Sequence, residues 1–268
     1  MNYIQLTFTA NLELTEIIAA NLMEEGFEGI EDIDGFTKTY IKEDEYNDIA
    51  VKVIFDKYNL QFHTLILQDR NWNAEWEANF QPVQVGDFVS IRASFHPALP
   101  ATRHDIIINP KMSFGTGHHA TTWLMMRQMQ EINFNEKAVI DFGTGTGILA
   151  ILAEKLGASS IIAIDNDDNC IDNAKENIDI NNCSKIRLLK DEMVSGDAEI
   201  ILANINKNII LANLKIIAET STKGGLVLFS GLLKEDYYDI LDGMSVYNLH
   251  QIKYQEKDNW ISILCQTL

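Results

Sequence analysis

The sequence predicts an α/β fold: a doubly wound, mostly parallel seven-stranded sheet preceded by a small α+β module. Three observations carry this. From Ala138 onward, short apolar runs alternate with segments of helical period, the pattern of strands and crossover helices. The first of those runs breaks into Gly143-Thr144-Gly145-Thr146-Gly147 and then a helix. The first sixty residues carry their own strand and helix periods and a separate charge balance.

The N-terminal module opens with Tyr3–Thr9, where Ile4, Leu6 and Phe8 alternate with polar residues as in a strand. Leu14, Ile17, Ile18 and Leu22 then fall at helical spacing, and Gly26 is placed to end that helix. Strands are expected around Gly29–Ile33, Phe36–Ile41 and Ile49–Phe55, a ferredoxin-like arrangement. This gives a recognition module over residues 1–58, a helical connector over 59–80 and a larger domain over 81–268. In the connector, Trp72, Trp76 and Phe80 form one aromatic stripe, read as packing.

The chain has 268 residues, a net charge of −18 and a pI near 4.6. That balance opposes a nucleic-acid partner, which calls for a basic face. Residues 1–60 hold thirteen carboxylates against four lysines and no arginine, half the net charge. A basic protein partner suits that segment. No apolar run reaches membrane-spanning length, and Cys170, Cys183 and Cys265 show no CxxC pairing. A reducing cytoplasm is therefore the expected setting.

The larger domain starts with strands at Phe88–Ala93 and Asp105–Asn109. A glycine-rich loop follows, Phe114-Gly115-Thr116-Gly117-His118-His119, leading into a helix from Thr122 that Thr121 or Thr122 can cap. Adjacent His118 and His119 diverge and have no further ligand nearby, so no metal is expected. Strands are then expected at Ala138–Phe142, Ser160–Ile164, Lys185–Leu189, Glu199–Ala203, Leu226–Ser230, Ser245–Lys253 and Trp260–Gln266. Helices separate the early strands, and the last two form an antiparallel hairpin.

In such a sheet, ligands sit beyond the carboxyl ends of the strands. Gly143, Gly145 and Gly147 follow the first core strand, and Asp165, Asp191 and Asn204 end the next three. The loop glycines and the helix start offer N–H groups to a ligand. Asp165, 18 residues past Gly147, is spaced to receive two ribose hydroxyls. A dinucleotide fingerprint requires glycine at Ile148, and the chain has Gly147 instead. The G-x-G-x-G pattern led by Asp141 is that of S-adenosylmethionine-dependent methyltransferases, whose cofactor has no pyrophosphate.

Together, Asn109-Pro110, the Phe114–Thr122 loop, Val139–Ala150, Ala203-Asn204-Ile205 and Ser230-Gly231-Leu232 resemble the methyltransferase family that acts on large-subunit ribosomal protein 11. The resemblance implies a class I methyltransferase with a Rossmann-like fold that uses S-adenosylmethionine to methylate lysine or N-terminal amines of that protein. It implies cofactor contacts at Thr122, Gly143, Asp165 and Asn204, beside Asp141, Gly145 and Gly147 from the motif. Phe114, Gly115, Thr116, Gly117 and His118 form its substrate loop, and Asn204 is the residue expected to orient the amine. The chain departs from the family's pattern at Ala120, Thr144 and Asn206-Lys207. The competing readings are another methyl acceptor, or a catalytically idle cofactor- or ribosome-binding protein.

Overall fold

The structure is a computed structural model that describes residues 2–33, 35–67, 81–99, 102–109, 115–191 and 196–268. The chain divides into two compact units, Met1–Phe80 and Gln81–Leu268.

The first unit runs β1 (Tyr3–Phe8), α1 (Leu12–Glu24), β2 (Glu28–Ile33), β3 (Phe36–Lys42), α2 (Asp48–Lys57), β4 (Phe62–Leu67). Its sheet order is β2-β3-β1-β4, with the three pairings antiparallel, a ferredoxin-like fold. Two expectations change. The Ile49–Phe55 run is helix α2, not a strand: the Asn47 side chain accepts the Ile49 and Ala50 N–H groups, and Val51, Ile54 and Phe55 are buried at helical spacing. Residues 62–67, read as part of the connector, are β4, in register with β1 from Phe8↔Phe62 to Tyr3↔Leu67. Phe55 sits between Phe8 and Phe62, with centroids 5.2 and 4.7 Å away, and these rings fasten α2 and β4 to the sheet. The Trp72–Phe80 stripe lies outside the described residues.

The second unit begins with a three-stranded sheet, β5 (Val83–Val85), β6 (Val89–Arg92) and β7 (His104–Ile107). Then come α3 (Ala120–Met129), β8 (Ala138–Phe142), α4 (Ile148–Lys155), β9 (Ser160–Asp165), α5 (Asp168–Ile180), β10 (Ile186–Lys190), β11 (Ala198–Asn204), α6 (Lys207–Thr220), β12 (Ser221–Leu233), α7 (Tyr237–Val246), β13 (Leu249–Lys257) and β14 (Trp260–Thr267). The main sheet has the order β10-β9-β8-β11-β12-β14-β13, and only β14 runs antiparallel to its neighbours. Ser245 and Val246, expected in a strand, end α7: Ile240 and Met244 are buried at i, i+4, and Asn248 at φ 56° makes the turn into β13.

Alternate residues along the core strands feed two cores. Val139, Ile161, Ala163, Ile200 and Leu202 pack against α3, α4 and α5. Ile140, Ile164, Ile201, Ala203 and Phe229 pack against α6 and α7. With both faces covered, the central strands are mostly apolar, Asp141 of β8 being a buried exception. Strand order reverses between β8 and β11, so a crevice opens beyond their carboxyl ends.

Candidate functional site

A cavity of about 610 Å³ occupies that crevice, within the range of small-molecule sites. Gly143, Gly145, Asp165, Asn166, Cys170 and Asp191 line one part of it. Phe142, Asn204, Ile205, Asn206, Ile209, Asn213, Gly231, His119, Thr121 and Trp260 line the rest.

The glycine turn is held from within. The Gly143 N–H donates to Ile164 O at 2.9 Å, the Gly145 N–H to Asp165 Oδ2 at 2.9 Å, and the Gly147 N–H to Thr144 O at 2.9 Å. This corrects the expectation that these N–H groups face a ligand: they are already engaged. The glycines instead permit close approach. At Gly143, φ is +75° and a Cβ would come within 2.2 Å of Ile205 Cγ2.

Asp141 lies beneath this turn and does not line the cavity. It is fully buried; its Oδ2 accepts the Thr144 hydroxyl at 2.6 Å and the Ala150 N–H at 3.1 Å, joining β8 to α4. Burial pushes its carboxyl up to about 7, assisted by the charge of Asp165 and opposed by those two hydrogen bonds. Asp141 thus shapes the turn. Gly147 is likewise behind the turn, against Ala174.

Asp165 ends β9 on the cavity wall. Its Oδ2 takes Gly145, its Oδ1 takes the Asp167 N–H at 3.1 Å, and each oxygen retains a lone pair for a ligand hydroxyl. Asp191 follows β10, and its N–H donates to Asp165 O at 3.1 Å. Asn204 ends β11; its Nδ2 donates to the Thr122 hydroxyl at 3.4 Å, while its Oδ1 is buried with no hydrogen-bond partner. Thr122 itself is fully buried and reaches the site through Asn204.

The second loop stands differently from expectation. Gly115, Thr116, Gly117 and His118 do not line the cavity, and Phe114 lies outside the described residues. Gly115 O accepts the Thr146 hydroxyl at 2.6 Å, and His118 Nε2 is 2.8 Å from Gln81 O. His119 lines the cavity in their place. It, rather than Thr121 or Thr122, caps α3, with its Nδ1 accepting the Thr121 N–H at 3.3 Å. Its ring meets Trp260 edge-on, with centroids 4.7 Å apart. Neither His119 nor Trp260 carries a local sequence signal for the cavity, because they meet only in the fold. Gly231 was a motif residue only; a Cβ there would lie 2.2 Å from Ile205 O.

The donor set fits S-adenosylmethionine. Two carboxylates and no lysine or arginine stand among the described lining residues, which suits a sulfonium and an ammonium. The Gly143, Gly145 and Gly147 N–H groups, engaged within the protein, are not offered to a pyrophosphate. The unpaired Asn204 Oδ1 adds a buried acceptor for an N–H donor.

A family model described as ribosomal protein L11 methyltransferase (PrmA) matches residues 6–267. The chain belongs to that family. A ribosomal protein L11 methyltransferase of Phocaeicola vulgatus is 36% identical over 276 residues, covering 98% of each chain. One from Chlorobaculum parvum is 37% identical over 280 residues, covering 99% of this chain and 96% of the relative. The crystal structure of a ribosomal protein L11 methylase from Lactobacillus delbrueckii subsp. bulgaricus superposes with a TM-score of 0.65 at 27% identity, covering 70% of this chain and all of that one. The larger unit has the class I methyltransferase sheet, and the family membership makes the chain an S-adenosylmethionine-dependent methyltransferase. Among the described residues, no helix is long and apolar enough to cross a membrane, and no His, Cys, Asp and Glu side chains group as a metal site.

Proposed function

We propose that this methyltransferase modifies lysine or N-terminal amines of ribosomal protein L11, in the cytoplasm and without direct contact to nucleic acid. Family membership supports the substrate, and the observation that carries the chemistry is the buried, unpartnered Asn204 Oδ1 on the cavity wall. S-adenosylmethionine, when bound, supplies an electrophilic methyl on a sulfonium.

An amine arrives as an ammonium, with a reference pKa of about 10.4 for lysine. Asp165 and Asp191 favour its approach. The apolar walls, Phe142, Ile205, Ile209 and Trp260, strip its water and lower its pKa. The proton leaves to solvent. Asn204 Oδ1 then accepts an N–H from the neutral amine and turns the lone pair toward the methyl carbon. S-adenosylmethionine held by Gly143, Gly145 and Asp165 would supply the methyl group to that nitrogen. Alignment of these atoms supplies much of the acceleration.

In the same reading, Gly143, Gly145 and Asp165 hold the cofactor, Thr122 positions Asn204 beside it, and Asp141 and Gly147 shape the turn around it. The acidic N-terminal unit recognises the basic substrate. Incubation with methyl-labelled S-adenosylmethionine and L11 is expected to label L11. Label entering ribosomal RNA instead, or none entering L11, overturns the proposal. Asn204→Ala is expected to lower kcat by about tenfold or more and to cost less in cofactor affinity.

A further inference from the structure

Helix α5 buries three asparagines, Asn173, Asn177 and Asn181, one turn apart on its inner face. Asparagine is a poor helix former, and burying its amide is unfavourable unless every polar atom finds a partner. A purely packing face calls for alanine or leucine. The partners here are all backbone of two other segments or the next rung. Asn181 closes on Ile107, accepting its N–H at 3.0 Å and donating to its carbonyl at 2.6 Å. Asn173 donates to Asn109 O at 3.2 Å.

Asn177 differs from both. Its Oδ1 accepts the Asn109 N–H at 3.0 Å, and its Nδ2 donates to Thr146 O at 3.0 Å and to Asn173 Oδ1 at 3.4 Å. Thr146 sits in the glycine turn, next to the cavity-lining Gly145 that Asp165 holds, and its hydroxyl reaches Gly115 O at 2.6 Å. One side chain therefore braces the cofactor turn and the strand exit at Asn109, and the residue it braces grips the second loop at Gly115.

We propose that Asn177 is a positioning residue that transmits cofactor occupancy of the cavity to the second glycine-rich loop, through Thr146. A ligand that stiffens Gly143–Gly145 holds Thr146 in one place, and the Thr146 hydroxyl then holds Gly115. Without Asn177, Thr146 loses its anchor to α5, and stiffening of the turn no longer reaches Gly115. The proposal rests on the cavity being the S-adenosylmethionine site and is independent of the methyl acceptor. The coupling is reciprocal: a stiffened second loop also favours the cofactor.

Hydrogen exchange on the full chain, with and without saturating S-adenosylhomocysteine, tests this. In the unmodified protein the ligand is expected to slow exchange over Gly115–His118 by about tenfold, and Asn177→Ala is expected to bring that slowing below about threefold while the ligand still binds. Asn181→Ala, which removes the pairing with Ile107 and the Nδ2 bond to Asn177 O at 2.8 Å but leaves the Asn177 side chain on Thr146, is expected to lower the melting temperature and keep the slowing. Thr146→Val removes the hydroxyl bridge alone and is expected to behave as Asn177→Ala, which covers the case in which the latter fails to fold. Calorimetry showing no binding to the unmodified protein removes the cofactor reading and this proposal together. Binding with full slowing retained in the Asn177 and Thr146 variants, or lost equally in Asn181→Ala, overturns this proposal alone.

Discussion

The Asp165 carboxylate accepts the Gly145 N–H at 2.9 Å and ties the end of β9 to the turn after the neighbouring strand β8. One side chain thus both braces the glycine turn and lines the cavity. Asp165→Ala is expected to weaken S-adenosylmethionine binding tenfold or more, about 1.4 kcal/mol, through loss of charge-assisted hydrogen bonds. Calorimetry measures this, and an unchanged affinity removes Asp165 from the site.

Gly231 and Gly143 both press on Ile205, yet substitutions there are expected to differ. A Cβ at Gly143 meets the Ile205 Cγ2 methyl at 2.2 Å, which a χ1 rotation can move, whereas one at Gly231 meets the Ile205 carbonyl oxygen at 2.2 Å and its carbon at 2.7 Å, which are backbone. Both have positive φ, +75° and +81°, which costs an alanine about 1–2 kcal/mol. Gly231→Ala adds a backbone clash for a total of about 3 kcal/mol or more. Thermal melts should therefore rank Gly231→Ala below Gly143→Ala, and the reverse order contradicts the Ile205 contact.

Asp141 makes stability depend on pH. Its carboxyl is raised from 3.8 to about 7, so between those values the folded protein binds more protons than the unfolded chain. Stability from this group is complete below about pH 4 and is lost as pH rises through about 7. Asp141→Asn removes the titration. Melting temperatures taken from pH 4 to pH 8 should shift in favour of the variant as pH rises; parallel curves would show that Asp141 does not titrate in this window.

The small unit ends later than the charge pattern suggested, because β4 belongs to its sheet. A chain of residues 81–268 is expected to bind S-adenosylhomocysteine as the full protein does and to lose methylation of L11. Normal methylation by the shortened chain contradicts the recognition role of the first unit.

The main sheet was legible because local signals agree: apolar strands, a glycine turn at Gly143–Gly147 and Asp165 closing β9. Helix α2 was not, because Ile49 and Val53 are apolar yet exposed, at 76% and 64%. With Ala50, Val51, Ile54 and Phe55 they make an apolar run interrupted only by Lys52, which reads as a strand, and the Asn47 cap is the signal that separates the two. His119 and Trp260 lie 141 positions apart in the chain, and only the placement of β14 beside α3 brings their rings together. The asparagines of α5 carry no local sequence signal, because their partners Ile107, Asn109 and Thr146 come from other segments.

Among the described residues, strand β7 has a neighbouring strand, β6, on one side only. On the other, Asn181 presents an amide that pairs with both the N–H and the carbonyl of Ile107, as a neighbouring strand would. An open edge of this kind is a template onto which a second chain can add. Here a helix has sealed it with a side chain. Loss of Asn181 therefore leaves Ile107 ready for intermolecular β-pairing, so concentrated solutions of such a variant are expected to aggregate before they unfold.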